Sequence, residues 1–133
     1  MHLVAATGNT GKLKELQEQF EHEVRGYKEL VDVGEILEDG ATFQANALIK
    51  SRTVYERLGP AYVVISDDSG LTVPALDGEP GLYSARYAGP GASDRENLQR
   101  VIERLKETGL SEADAYYTCA IAISCEQGDF TAH

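Results

Sequence analysis

The chain has 133 residues, 42% of them hydrophobic and 26% charged, with a formal net charge of -10. This suits one soluble domain with a single core, residues 1–133, and no apolar run reaches the roughly 20 residues that a membrane-spanning helix needs. The acidic balance, with no cluster of Lys and Arg, speaks against a nucleic-acid surface, though not against a small phosphorylated substrate carried in with a metal ion.

In chain order, His2 to Ala6 reads as a first buried strand, and the turn into Thr7-Gly8-Asn9 comes too soon for a secretory signal. Gly11 to Phe20 has Leu13, Leu16 and Phe20 at helical spacing. Thr42 to Leu58 is a second helix, with Phe43, Ala47, Val54 and Leu58 on one face and Gly59-Pro60 as its stop. Tyr62 to Ile65 is a short apolar run, expected of a central strand that ends at Ser66-Asp67-Asp68-Ser69-Gly70. An irregular stretch from about Leu76 to Ala92 follows, punctuated by glycine and proline. Ser93-Asp94-Arg95-Glu96 has the capping-box form and opens a third helix with Leu98, Val101, Ile102 and Leu105 as its apolar face. Ala115 to Cys125 is a long strand, and Gln127-Gly128-Asp129 turns into a returning strand at Phe130.

Early crossovers favour parallel pairing and the late hairpin adds an antiparallel part, so the expectation is an α/β fold with a mixed central sheet flanked by helices. Cys119 and Cys125 would stand roughly 20 Å apart on one face of an extended strand, too far for a disulfide. Two small reduced core cysteines in a reducing compartment are expected.

Three segments carry candidate chemistry. Thr7-Gly8-Asn9-Thr10-Gly11-Lys12 joins the first strand to the first helix. Its glycines allow close approach of an anion, the helix start favours phosphate, Lys12 adds a charge, and Thr7 and Asn9 offer side-chain donors. It is not a Walker A loop, because Ala6 and Leu13 stand where that motif has glycine and a hydroxyl residue. An ordinary glycine-rich turn would read the same way. Asp67 and Asp68 are adjacent carboxylates that would point different ways on extended backbone, although Asp-rich turns also end strands. Glu38 precedes the second helix, on which Asn46 and Lys50 share a face, so Lys50 is either aimed at a phosphate or solvated. The histidines His2, His22 and His133 are scattered, and none is expected to be catalytic.

These segments, with G-E-P-G-L-Y-S-A-R-Y-A-G at Gly78–Gly89 and Asn97-Leu98 in the third helix, resemble the inosine triphosphate pyrophosphatase family, the non-canonical purine NTP pyrophosphatases. The resemblance implies that Thr7, Gly8, Asn9, Thr10, Gly11 and Lys12 hold the triphosphate, assisted by Lys50. It implies that Glu38 and Asp68 hold Mg²⁺, that Asp68 is the general base with Asp67 in support, and that Ser69 contacts substrate. The implied reaction converts XTP, ITP or dITP to the nucleoside monophosphate and pyrophosphate, in a cytoplasmic homodimer of elongated two-lobed subunits. Family members continue beyond the position of His133, into an F-G-Y-D-P-type and a Ser-His-Arg segment that contact the base. The expectation is therefore a C-terminally incomplete chain, lacking those groups and a further strand and helix. A non-catalytic nucleotide-binding or dimerising fragment and a Maf-like nucleotide pyrophosphatase are the alternatives, and the Gly78–Gly89 stretch speaks against the second.

Overall fold

The computed structural model describes residues 2–133. The elements are β1 (His2–Ala5), α1 (Thr10–Gln19), β2 (Val24–Gly26), α2 (Phe43–Leu58), β3 (Tyr62–Thr72), α3 (Asp94–Glu107), β4 (Tyr116–Cys125) and β5 (Gly128–Ala132). Short 3-10 turns lie at Tyr27–Glu29, Pro74–Leu76 and Gly81–Arg86. The strands form one sheet in the order β2-β1-β3-β4-β5. The chain divides into two compact units, one running to Asp68 and taking in Ala120–His133, the other being Ser69–Cys119.

In the first unit β1 runs parallel to both β2 and β3. Its alternate residues face opposite sides, as pleating requires. Leu3 and Ala5 pack with Val24, Ile65 and the α1 residues Leu13 and Leu16. Val4 and Ala6 pack with Val64, Tyr27 and Val54 of α2. Val4, Val54 and Val64 are fully buried, each favouring the fold by about 2 kcal/mol over an exposed valine. The crossover through α1 leads from β1 to one neighbour and that through α2 returns to the other, so the sheet has a switch point at the carboxyl end of β1. The late hairpin is antiparallel, with Cys125 opposite Gly128, so its turn is Glu126-Gln127 rather than the expected Gln127-Gly128-Asp129.

The structure corrects several further expectations. β3 does not stop at Ile65 but runs on through Ser66, Asp67, Asp68, Ser69 and Gly70 to Thr72. Its polar half stays extended because the sheet continues to pair it: β4 lies along its other edge in the sheet. β2 had no sequence forecast, since three residues cannot display a period. Phe20 lies just beyond α1 and is exposed, as are Leu98 and Ile102 on α3. Cys119 is exposed rather than in the core, and both cysteines are unbridged. On β4 the fully buried face belongs to Ala120, Ala122 and Ser124, leaving Cys119 and Ile121 on the open side.

In the second unit Val73, Leu76 and Val101 form a small core with Leu71, Tyr87 and Leu105 beside it. The Gly78–Gly89 stretch is tied down by its own side chains. Ser84 Oγ accepts the Leu71 N–H at 2.9 Å and donates to the Gly81 carbonyl at 2.7 Å. Tyr87 donates to Glu79 at 3.0 Å, and Arg104 reaches both the Tyr87 hydroxyl, at 2.9 Å, and Glu79, at 3.2 Å. Burial pushes the Tyr87 phenol up, and the Glu79 carboxylate adds to this.

The α3 capping box is complete: Glu96 N–H donates to Ser93 Oγ at 3.1 Å and Ser93 N–H to Glu96 Oε1 at 3.0 Å. The bond from the Ser93 backbone, then that from its hydroxyl, holds the Glu96 carboxyl below its usual range. A depressed folded value means that this contribution is complete above the unfolded value and fades as pH falls through the folded one. Ser93→Ala is expected to lower stability by about 1 kcal/mol in urea unfolding at neutral pH. An unchanged midpoint would show that the cap contributes nothing.

Candidate active site

The turn after β1 is built from the backbone outward. Ala6 N–H donates to the Ile65 carbonyl at 2.8 Å, extending the β1–β3 pairing by one residue. Thr7 Oγ1 accepts the Asn9 N–H at 3.1 Å. Asn9 is the N-cap of α1, and its side-chain oxygen accepts the Lys12 N–H at 3.0 Å. Thr7 and Asn9 therefore spend their oxygens on shaping the turn, which leaves a hydroxyl hydrogen and an amide nitrogen to donate. The N–H groups of Thr10 and Gly11, in the first turn of α1, have no intrahelical acceptor, and that turn has no acidic residue to compete for them. The positive end of α1 thus opens at the switch point of the sheet.

β3 brings the carboxylates. Val63 and Ile65 belong to the α1-side core and Val64 to the α2-side core. Ser66, fully within the core, donates to the Ala47 carbonyl of α2. Asp67 accordingly returns to the α1 side, where it makes an ion pair and hydrogen bond with Lys12. Alternation sends Asp68 to the face of Ser66 and α2.

α2 organises the third segment. Thr42 caps it, accepting the Ala45 N–H at 3.0 Å. Asn46, only 2% exposed, accepts the Gly40 N–H at 2.7 Å and so pins the preceding loop to the helix. One turn on, Lys50 pairs with Glu38 at 3.2 Å, its side chain only 17% exposed. Lys50 is thus neither fully solvated nor idle: it is held by the carboxylate expected to bind metal.

The first unit therefore joins Lys12 to Asp67 and Lys50 to Glu38. Ser69 belongs to the second unit, where its hydroxyl lies 2.9 Å from that of Tyr117. Sequence reasoning missed Tyr117, because a contact between β3 and β4 leaves no local signal. It also missed Lys28, which lies against Gly8 from the stretch between α1 and α2. The histidines sit elsewhere: His2 beside the Tyr62 ring at 5.3 Å, and His133 at 2.7 Å from Gln44. Among the described residues no three His, Cys, Asp or Glu side chains converge as a metal cage. The carboxylates of Glu38 and Asp68 are hard oxygen donors, of the kind that suits a cation which keeps waters and shares phosphate oxygens.

Two crossovers on opposite faces of the parallel part of the sheet, with a helix start at the switch point, define a doubly wound α/β protein with a candidate phosphate site. A model of the Ham1 family matches residues 3–133, and the chain belongs to that family. It is 54% identical over 138 residues to the dITP/XTP pyrophosphatase of Sulfurovum sp. (strain NBC37-1), covering 100% of this chain and 66% of that protein. It is 48% identical over 134 residues to the dITP/XTP pyrophosphatase of Nautilia profundicola, covering 100% of this chain and 68% of that one. The Ham1 protein of Staphylococcus aureus superposes with a TM-score of 0.84 at 37% identity, over 98% of this chain and 67% of that chain. A HAM1 protein from Coxiella burnetii gives 0.83 at 36%, over 98% and 68%. The chain spans about two thirds of the length of these relatives. No helix among the described residues is long and apolar enough to cross a membrane.

Proposed function

We propose that this chain carries the phosphate- and metal-binding part of a pyrophosphatase that converts dITP, XTP and ITP to the nucleoside monophosphate and pyrophosphate. The observation that carries the reading is the meeting of the Thr7–Lys12 turn with Asp67 at the switch point of a Ham1-family sheet. The names of the relatives supply dITP and XTP, and the family resemblance implies ITP.

In this reading the N–H groups of Thr10 and Gly11 and the Lys12 ammonium bind phosphate oxygens, with Lys50 assisting. Glu38 and Asp68 would hold Mg²⁺, which supplies charge neutralisation of the leaving pyrophosphate and lowers the pKa of bound water. Asp68 takes the proton from the water that attacks the α-phosphorus. Asp67 supports the site by holding Lys12 until phosphate arrives. Ser69, with Tyr117 on its hydroxyl, contacts substrate. Loading re-partners the ion pairs: each lysine exchanges a carboxylate for a phosphate. A cytoplasmic homodimer is the setting the family resemblance implies, and two unbridged cysteines agree with a reducing compartment.

Pyrophosphate and orthophosphate release from XTP, dITP and dGTP with Mg²⁺ tests the proposal. Pyrophosphate from XTP and dITP, with little from dGTP and no orthophosphate, is expected. Triphosphate binding with no release from any nucleotide would reduce this chain to a ligand-binding one, and orthophosphate as first product would overturn the assigned bond cleavage.

A further inference from the structure

We infer that Lys28 is a further triphosphate-binding cation of this site, an inference that rests on the pyrophosphatase reading above. β2 pairs parallel with β1, Ala5 opposite Gly26, so the Tyr27–Glu29 turn and the Thr7–Lys12 turn leave the sheet at the same edge. Lys28 bridges the two. A Cβ built on Gly8 would lie 3.2 Å from its Nζ and 3.6 Å from its Cε, so the ammonium stands beside the space that a side chain at position 8 would take. A side chain at position 8 would compete for that place, and glycine leaves it to the ammonium.

The surroundings leave this charge available. Lys12 is paired with Asp67 and Lys50 with Glu38. Among the described residues Lys28 makes no ion pair. Its sequence neighbour Glu29 is turned to Arg25, at 3.5 Å. The Lys28 ammonium also lies over the face of the Tyr27 ring, 6.0 Å from its centroid, and that ring is buried in the α2-side core. In a chain of net charge -10, an ammonium without a carboxylate, beside the positive end of α1, marks where an incoming polyanion meets least repulsion. A phosphate that settles on Thr10 and Gly11 N–H groups gains Lys28 without having to break an existing ion pair. Lys12 and Lys50 join only as their carboxylates are released.

Because Lys28 approaches the phosphate-binding turn and not the carboxylates of β3, it acts on binding rather than on chemistry. The test is calorimetric titration of inorganic tripolyphosphate with Mg²⁺, which removes the base and ribose, into the 133-residue protein and its variants. Lys28→Ala should weaken binding about three- to fivefold, as expected for one partly exposed charge pair, and the deficit should shrink as salt rises. Lys14→Ala, a change of an exposed lysine on α1 away from the turn, should have no effect. For XTP turnover Lys28→Ala should raise KM by the same factor and leave kcat unchanged. Equal affinity of Lys28→Ala and the parent, or an equal loss in Lys14→Ala, would overturn the assignment. Failure of the parent itself to bind tripolyphosphate would overturn the phosphate site first, and Lys28 with it.

Discussion

Asp68→Asn is expected to lower pyrophosphate release by about 10²–10⁴-fold, the usual loss on removing a general base, while triphosphate binding stays measurable. The side chain keeps its shape and loses its ability to take a proton. β3 remains extended through the acidic pair, so Asp67 lies on the α1 side, held by Lys12, and Asp68 follows Ser66 on the α2 side. Asp67 is thereby committed to an ammonium, and Asp68 is the carboxylate on the side of the helix that carries Lys50 and, through it, Glu38. Initial rates of pyrophosphate release, beside calorimetric binding of the Mg²⁺ complex, give the split between kcat and affinity. Near-normal turnover by Asp68→Asn would remove the general-base assignment. Loss of binding alone would make Asp68 purely a metal ligand.

Gly40→Ala is expected to act through the loop that carries Glu38. The added Cβ would stand 2.7 Å from Asn46 Oδ1, 2.8 Å from Ala45 Cβ and 3.2 Å from the Ala45 carbonyl carbon. The Ala45 atoms belong to the first turn of a helix and the Asn46 side chain is buried, so the loop is the part that moves. That movement breaks the 2.7 Å bond from Gly40 N–H and leaves a buried amide oxygen without its donor, at a cost of about 1–3 kcal/mol. It also draws Glu38 off Lys50, so metal-dependent triphosphate binding should fall along with stability. Urea unfolding and calorimetry on Gly40→Ala, Asn46→Ala and the double variant give the coupling energy. The double variant should be less destabilised than the sum of the singles. Gly40→Ala with parental stability and binding would show that this bond does not place the loop.

The elements that sequence reasoning located well are those whose cause is local. α1, α2 and α3 have a repeating apolar face and a capping side chain at Asn9, Thr42 or Ser93. Leu3 to Ala5 of β1 and Tyr62 to Ile65 of β3 are continuous apolar runs. What was illegible is non-local or too short. β2 is three residues of strand stabilised by its alignment with β1, and nothing in Val24-Arg25-Gly26 announces it. The polar half of β3 looked like a strand end because Asp and Ser disfavour strands, yet the neighbouring strand overrides that preference. Leu98 and Ile102 fit the helical period but lie at the edge of the small Val73–Leu76–Val101 core, which accommodates Val101 and Leu105 only. At the candidate site the residue types were legible and their partners were not. Lys12 and Asp67 are 55 residues apart, and Lys50 meets Glu38 across a loop. The Gly78–Gly89 stretch, the most diagnostic in sequence, is largely explained by structure: Glu79, Ser84 and Tyr87 fasten their own segment.

The passage of β3 through the acidic pair also bears on how the strand finds its alignment. Hydrophobic patterning cannot choose between this pairing and one slipped by a residue, because Val63, Val64 and Ile65 are apolar on both faces and nearly interchangeable in shape. A slip would nonetheless trade Asp67 for Asp68, presenting each carboxylate to the wrong helix. What resists it is polar: the Ser66 hydroxyl on the Ala47 carbonyl, and the Lys12 ammonium on Asp67. The ion pair at the Thr7–Lys12 turn thus doubles as a register pin, so a chain that folds out of step by one residue would be stable in its grease and wrong in its polar contacts.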